Sequence, residues 1–292
     1  MINQYKIIGY NEIRLWLSNN CLFEKNKDLF KDLLPAYNAD IIVNRHSYAD
    51  EILEQINGGN HPPEDVIGDI DTIIDSLSKD GYQLSRDDVI LVHRTLTLYS
   101  RFTSYLKKES MPIACTIIDT SFNADKLLAI IENVFDPEYN IKDSASKELS
   151  QIAKRIKKLS KEKDLELSKI LRSAKTNGWL NGDEIRLKNG RSVLPVRPSS
   201  KKQVSGIVHD RSSSGQTIFI EPAVSISIEN RIADEKINRM NEIKKILAKL
   251  TSDVAKSSSK ISRLYHNLMN YDFHSTIAKL AIDTGAIRPE LT

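Results

Sequence analysis

The 292-residue sequence has little cysteine, few aromatic residues and no long apolar run. Its two cysteines, Cys21 and Cys115, have no CxxC neighbour, which favours reduced thiols over a disulfide framework. Aromatic residues make up 7% of the chain, too few for an aromatic-rich β core. No apolar run approaches the roughly 18 residues that a membrane span needs, and the first residues lack a signal-peptide pattern. We expect a cytoplasmic protein without membrane contact.

Signatures of catalysis and of cofactor binding are also missing. The chain has no GxxxxGK(S/T) phosphate loop, no GxGxxG fingerprint and no HExxH zinc motif. Five of its six histidines show no spacing typical of metal ligands: His46, His61, His93, His266 and His274. We therefore predict no metal site and no cofactor in this chain.

The sixth histidine lies in a stretch that contains the residue types of a catalytic triad. His209, Asp210 and Ser212 are close in sequence. Triads form in space, however, and adjacent residues of a strand point to opposite faces, so His209 and Asp210 would diverge. A tight loop, in which Asp210 and serine hydroxyl oxygens accept hydrogen bonds from nearby backbone N–H groups, is the simpler interpretation. We predict no catalytic residue.

Two long segments lack interior glycine and proline and carry apolar residues at heptad spacing. The first, from Asp143 to Lys175, has its stripe at Leu149, Ile152, Ile156 and Leu159, continuing through Leu165 or Leu167 to Ile170. The second begins at Pro222, and its stripe is Ala233, Ile237, Met240, Leu247, Leu250 and Val254. Each segment would form a helix of roughly 50 Å at 1.5 Å per residue. Similar lengths joined by a short insert predict an antiparallel pair.

The insert between these helices reads as a β-hairpin followed by two more strands. Asn189-Gly190 is the strongest short signal for a two-residue hairpin turn, because both residues need positive φ. That turn would place Lys188 opposite Arg191 and Arg186 opposite Val193. Residues 204–208 and 217–220 are rich in β-branched side chains and are predicted to be strands.

Positive charge is concentrated in this insert. Residues 185–211 contain seven Lys or Arg and one acid, Asp210, whereas the whole chain has 42 basic and 39 acidic residues. We call the seven cations the basic strip: Arg186, Lys188, Arg191, Arg197, Lys201, Lys202 and Arg211. Side-chain alternation assigns Arg186, Lys188, Arg191, Val193 and Arg197 to one face of the hairpin and Ile185, Leu187, Ser192, Leu194 and Val196 to a core face.

Such a strip suits contact with phosphate backbones of DNA or RNA, without base-specific readout. A solvated edge hairpin whose charges prevent aggregation is the alternative interpretation.

The fold predicted from these patterns is mainly α: a helical core and two long antiparallel helices with a small inserted antiparallel β-module. The expected regions are a helical N-terminal core at 1–140, an ascending helix at 141–178, the β-module at 179–222, and a descending helix with return to the core at 223–292. Within the first region, Ser85 and Asp88 have the spacing of a capping box, which predicts a helix start.

Two stretches of the insert resemble a known family. Residues 189–196, NGRSVLPV, and 206–222, GIVHDRSSSGQTIFIEP, are similar to the pattern NGRYVIPV…GIVHDxSxSGxTxFIEP of the MutS-II branch of the MutS family. Residues 143–149 match the family's start of the lever helix, and residues 271–273 and 288–291 resemble its exit toward the ATPase domain. Ser192 stands at a position that is often aromatic in the family. The residues of the second motif that the resemblance marks are Gly206, His209, Asp210, Ser214, Gly215, Glu221 and Pro222.

The resemblance implies a region of a larger machine. Members of this branch are homodimeric ATPases, often with a C-terminal Smr endonuclease domain, associated with branched or mismatched DNA, suppression of recombination and splitting of collided ribosomes. In MutS proteins, a β-insert at the tip of two lever helices acts as a clamp on the nucleic-acid backbone. We expect this chain to end where the ATPase domain, with its ATP and Mg²⁺, would begin, and to have no enzymatic activity of its own.

Two functions are therefore expected to compete. The first is a core, lever and clamp region that binds DNA or ribosomal RNA through the basic strip. The second is a helical interaction module that mediates protein–protein contacts or dimerisation without nucleic-acid binding.

Overall fold

The computed structural model describes residues 9–109 and 111–290, apart from the side chains of Lys108 and Glu109. The chain divides into two compact units. Unit 1 consists of Met1–Asn140 and Leu247–Thr292, and unit 2 consists of Ile141–Ile246. The described residues are mainly helical with one small antiparallel sheet, so the predicted fold class is confirmed. No described helix is long and apolar enough to cross a membrane.

Unit 1 is built from helices. They are α1 (Tyr10–Asn20), α2 (Glu24–Lys31), α3 (Ala39–Asn57), α4 (Asp71–Leu77), α5 (Arg86–Glu109), α6 (Ala114–Ile117), α7 (Asp125–Val134), the end of α9 (Ala223–Ala255) and α10 (Ser258–Thr284). The predicted capping box precedes α5: Asp88 N donates to Ser85 Oγ at 3.2 Å, and Ser85 N donates to Asp88 Oδ2 at 2.8 Å. That prediction is confirmed.

Two buried carboxylates fix helix ends in unit 1. Asp272 of α10 accepts hydrogen bonds from the backbone N–H groups of Leu22 and Phe23, at 3.0 and 3.1 Å, where α2 begins. Burial raises the pKa of the Asp272 carboxyl above its ordinary value. Glu51 of α3 accepts from Ile113 N and Ala114 N at 2.9 and 2.6 Å, at the start of α6. The bonds from Phe23, Ile113 and Ala114 satisfy N–H groups that a helix leaves without intrahelical partners, and the bond from Leu22 fixes the residue before the N-cap.

Unit 2 contains α8 (Lys147–Thr176), most of α9 and the β-module. The two helices are antiparallel, because residues with increasing numbers on α8 pair with residues with decreasing numbers on α9. The ion pairs that show this are Arg155–Glu235 at 2.9 Å, Glu162–Arg231 at 3.1 Å and Lys163–Glu229 at 3.3 Å. Ser146 Oγ caps α8 by accepting from Leu149 N at 3.0 Å.

The two predicted heptad stripes have different outcomes. On α8, the expected stripe is buried or half-buried along Leu149, Ile152, Ile156, Leu159, Leu167 and Ile170, whereas Leu165 is exposed. On α9, the prediction is wrong over its first half, since Ala233 is exposed and Ile237 and Met240 are 53% and 57% exposed, whereas Leu250 and Val254 are buried. Glu235 and Glu242 take their place on the half-buried side, where Glu235 pairs with Arg155 and Glu242 accepts from Ser146 Oγ at 2.7 Å. Polar partners on α8 therefore set which side of α9 faces inward.

The sheet of unit 2 has the strand order β1-β2-β4-β3, all antiparallel. Its strands are β1 (Arg186–Lys188), β2 (Arg191–Val196), β3 (Gly206–Arg211) and β4 (Ile218–Pro222), with a short 3₁₀ helix at Pro198–Gln203. The hairpin register Arg186↔Val193 and Lys188↔Arg191 is the one predicted. Asn189 and Gly190 both have positive φ, 50° and 75°, as the predicted turn requires.

A compact apolar cluster lies on one face of the sheet. It is formed by Ala174, Leu180, Leu194, Val196, Val204, Ile218 and Ile220. The predicted face assignment is wrong for two residues. Leu187 is 74% exposed, because β1 is a three-residue edge strand, and Val193 is fully buried, because β2 lies between two strands and is covered on both faces.

Candidate nucleic-acid interface

Two members of the basic strip lie over an aromatic ring on the outer face of the sheet. Lys188 Nζ is 4.8 Å and Arg186 Cζ is 6.0 Å from the ring centroid of Phe219. Phe219 itself is buried, and the charged groups of both side chains lie over its ring, where the Lys188 side chain remains 40% exposed. Lys188 also pairs with Asp210 at 3.1 Å, and this hydrogen bond lowers the pKa of the Asp210 carboxyl. The result is an exposed cationic surface with one acid in it.

Arg191 has a different environment. Its Nη1 is 2.7 Å from Glu229 Oε2 on α9 and 3.5 Å from Glu221 Oε1 on β4. Only 2% of the Glu221 side chain is exposed, so this carboxylate needs a cation beside it. The Arg191 charge is therefore balanced inside the molecule.

Further contacts extend this arrangement into a network. His209 Nε2 lies 2.5 Å from Glu221 Oε2, and Lys163 Nζ lies 3.3 Å from Glu229 Oε1. We call the group Arg191, His209, Glu221, Glu229 and Lys163 the acid network. It ties β2, β3 and β4 to both long helices of unit 2.

The other members of the basic strip are dispersed. Arg197 is exposed, but its Nε donates to the backbone oxygen of Leu180 at 2.9 Å. Lys201 and Lys202 are exposed on the 3₁₀ helix between β2 and β3. Arg211 is exposed at the end of β3, opposite Ile218. Of the seven cations, the structure brings Arg186 and Lys188 together and sets Arg191 apart.

The loop of the second family-like motif is a tight turn between β3 and β4. Thr217 N donates to Ser212 Oγ at 3.0 Å, and Gly215 N, with φ of 71° at that glycine, donates to Ser212 O at 2.8 Å. Asp210 Oδ1 accepts from Arg211 N at 2.8 Å. Ser214 is exposed, with its hydroxyl 3.4 Å from that of Ser212. These are the bonds expected of a structural loop.

The catalytic residue types near this loop do not converge. His209 pairs with Glu221, whereas Asp210 pairs with Lys188. Across the described part of the chain, no group of three His, Cys, Asp or Glu residues is placed to hold a metal ion.

Gly206 begins β3 at a point where two backbones nearly touch. A Cβ atom at this position would lie 2.0 Å from the backbone oxygen of Glu221. Only glycine allows this approach, and the approach keeps β3 in register with the strand that carries Glu221. Pro222, which pairs with Gly206, ends β4 directly before α9.

Sequence reasoning missed the acids that neutralise Arg191. It named Glu221 only among the residues of the second motif and did not name Glu229, yet both contact Arg191. The available signal was an acid at the end of the apolar run Ile218–Ile220, because a carboxylate in a buried strand requires a partner. Phe219 was also missed as the platform below Arg186 and Lys188.

Comparison with known proteins supports the resemblance. Endonuclease MutS2 of Caldicellulosiruptor saccharolyticus is 28% identical over 287 residues, covering 97% of this chain and 36% of that protein. Endonuclease MutS2 of Alkaliphilus oremlandii is 27% identical over 295 residues, covering 98% and 37%. The chain is MutS-like. The endonuclease MutS2 of Carboxydothermus hydrogenoformans is 30% identical over 227 residues, an alignment that covers 78% of this MutS-like chain and 29% of that protein.

The chain thus spans between 29% and 37% of the length of these curated relatives. No model of a protein family matches it. The expected resemblance to the MutS-II branch is nevertheless confirmed, because MutS2 proteins align with nearly the whole chain.

Proposed function

We propose that this chain is a non-catalytic region of a MutS2-like protein that binds the phosphate backbone of nucleic acid through the outer surface of its β-module. The observation that carries the proposal is the pair Arg186 and Lys188, held over Phe219 on the face of the sheet opposite the apolar cluster. This pair lies in the same insert as the two family-like motifs. Phosphate contacts of this kind position a protein on nucleic acid and do not read its sequence.

The proposed contacts use only part of the basic strip. Arg186 and Lys188 lie on the face that carries Phe219, and Arg211, Lys201 and Lys202 add exposed charge elsewhere in the β-module. Arg191 is excluded, because it is shared by two acids of low exposure, Glu221 and Glu229, whereas Lys188 has a single exposed partner, Asp210. Arg197 is secondary, since its guanidinium also donates to the protein backbone.

The target is branched or mismatched DNA, or ribosomal RNA. The relatives carry the name endonuclease, which denotes an activity on nucleic acid in those proteins. Any such activity, the binding of ATP and Mg²⁺ and the formation of a homodimer belong, in this proposal, to the full-length protein. Unit 2 would supply the contacts with the nucleic-acid backbone.

The decisive experiment is a salt titration of binding to a labelled four-way DNA junction, followed by fluorescence anisotropy. The triple variant Arg186→Gln, Lys188→Gln, Arg211→Gln should bind at least about tenfold more weakly, and its dependence of log K on log salt should be less steep by up to about 0.9 for each lost contact. The matched control is Lys154→Gln, Lys157→Gln, Lys158→Gln, which removes three exposed lysines of α8. Equal losses in both triple variants would mean that only net charge matters.

A second candidate function rests on the exposed apolar side chains of α9. Ile237 and Met240 follow a helical spacing on the outer side of the helix, which suits pairing with another protein helix. Sedimentation would then find a stable dimer of the chain that Ile237→Glu dissociates, with no binding to the junction at physiological salt.

A further inference from the structure

A cavity of about 560 Å³ opens on the surface of unit 1, away from the β-module in sequence. One wall is formed by residues 119–130, which lead into and include the first half of α7. The other wall is formed by residues 253–267, at the end of α9 and the start of α10. Its size is that of a ligand or peptide-anchoring pocket.

The floor of the cavity is apolar. It is lined by Phe122, Leu127, Ile130 and Leu264, of which Ile130 is 37% exposed. An exposed isoleucine beside buried leucines forms a patch that a partner side chain can cover.

The rim of the cavity is cationic. It carries Lys126, Lys256, Lys260 and Arg263 against two acids, Asp119 and Asp253. Arg263 lies 3.5 Å from Asp119, and Lys256 lies 2.8 Å from Asp253, so each acid already has a cation.

Two lysines of the rim are left to attract a ligand. Among the described residues, neither Lys126 nor Lys260 forms a salt bridge with an acid within 4.0 Å, and Lys260 Nζ lies 5.8 Å from the Phe122 ring centroid. An apolar floor with uncompensated cations at its edge is complementary to a segment that has apolar side chains on one face and carboxylates beside them.

We propose that this cavity docks an acidic, amphipathic peptide segment of a partner protein. Its apolar side chains lie on Phe122, Leu127 and Ile130, and its carboxylates pair with Lys126 and Lys260. Nucleic acid is the less suitable occupant, because the protein surfaces that bind nucleic acid are more polar and more strongly positive than the lining of this cavity. The proposal is independent of the phosphate-binding role of unit 2.

The test uses the whole chain and a fluorescein-labelled helical peptide of about 14 residues, four turns, with leucines at heptad spacing and glutamates on both flanks. Wild type should bind it, and the double variant Lys126→Glu, Lys260→Glu should weaken binding by at least about tenfold. The matched control, Lys79→Glu with Lys107→Glu, reverses two exposed lysines outside the cavity and should bind as wild type. Ile130→Asp tests the floor and should weaken binding without changing the rim charge.

Three outcomes overturn the proposal. They are no binding of the peptide at about 0.1 mM, equal losses in the cavity and control variants, and undiminished binding of a peptide with glutamine in place of every glutamate. Single-stranded oligothymidine that binds in a manner dependent on Lys126 and Lys260 would identify nucleic acid as the occupant instead. Circular dichroism of each variant excludes unfolding as the cause of a loss.

Discussion

The cations on one face of the β-module have two different environments. Arg186 is exposed above Phe219, and Lys188 beside it pairs with the exposed Asp210. Toward the helices, Arg191 is bound between Glu229 and the buried Glu221. These cations are close in sequence and sit on neighbouring strands. A cluster of positive charge in a sequence is therefore not one surface, because acids supplied by other elements can neutralise part of it.

The same contrast holds for the apolar residues of the long helices. Leu159 of α8 is buried, whereas Met240 of α9 is exposed, although both were placed in a heptad stripe. The inward side of α9 carries Glu235, which pairs with Arg155. Whether a side of a long helix in unit 2 is buried or exposed therefore depends on the partners that it meets on the other helix, and not on how apolar its residues are.

The largest loss of stability is expected from Gly206→Ala, which displaces β3 and so disturbs the environments of Arg191 and of Lys188 together. Its new Cβ would overlap the backbone oxygen of Glu221, so the sheet must open at the acid network and at the outer face together. We expect unit 2 to lose more than about 4 kcal/mol of stability. Hydrogen exchange of the β3 and β4 amides measures this loss. Wild-type protection of those amides in the variant would contradict the prediction, because it would show that the sheet accommodates the added Cβ without opening.

The next largest effect is expected at a buried position of α8, and it is compared with an exposed position of α9. Leu159→Ala should lower the free energy of unfolding by about 3 kcal/mol, because it leaves a cavity. Met240→Ala should change it by less than about 0.5 kcal/mol, as at other surface positions. Urea unfolding of both variants gives the two values, and a large cost at Met240 would mean that this side chain is covered in solution.

Arg191→Ala separates the acid network from the outer face. It leaves Glu221 and Glu229 without their shared cation, and a cost of about 2 kcal/mol is expected, below that of a fully buried pair because the arginine is partly exposed. Its salt dependence of DNA binding should equal that of wild type. Lys188→Gln should do the opposite, keeping the unfolding midpoint and reducing the salt dependence. If instead Arg191→Ala reduced the salt dependence and Lys188→Gln lowered the stability, Arg191 would be the phosphate contact and Lys188 the structural residue.

The smallest effect is expected from Leu187→Lys on the edge strand. With 74% of Leu187 exposed, the stability change should stay within about 0.5 kcal/mol. The added cation lies beside the outer face and should steepen the salt dependence by at most about 0.9. A loss of several kcal/mol would instead restore Leu187 to the core face.

Local signals in the sequence predicted what local chemistry controls. The hairpin register follows from Asn189-Gly190, the start of α5 from Ser85 and Asp88, and the inward stripe of α8 from the spacing of its leucines and isoleucines. The corrected residues share another property, since Val193 and Ile237 depend on neighbours contributed by distant segments. Periodicity identifies a stripe but does not say which stripe another element will cover.

The sequence by itself determined the elements of this protein: two long helices, an inserted hairpin with excess positive charge, and a motif similar to MutS2 proteins. Backbone dihedral preferences and side-chain periodicity act over a few residues, so they can be read along the chain. Only the tertiary structure decided which cation is paired with buried acids. Arg191 meets Glu229, which is 38 positions away, and that meeting depends on how the sheet packs against α9.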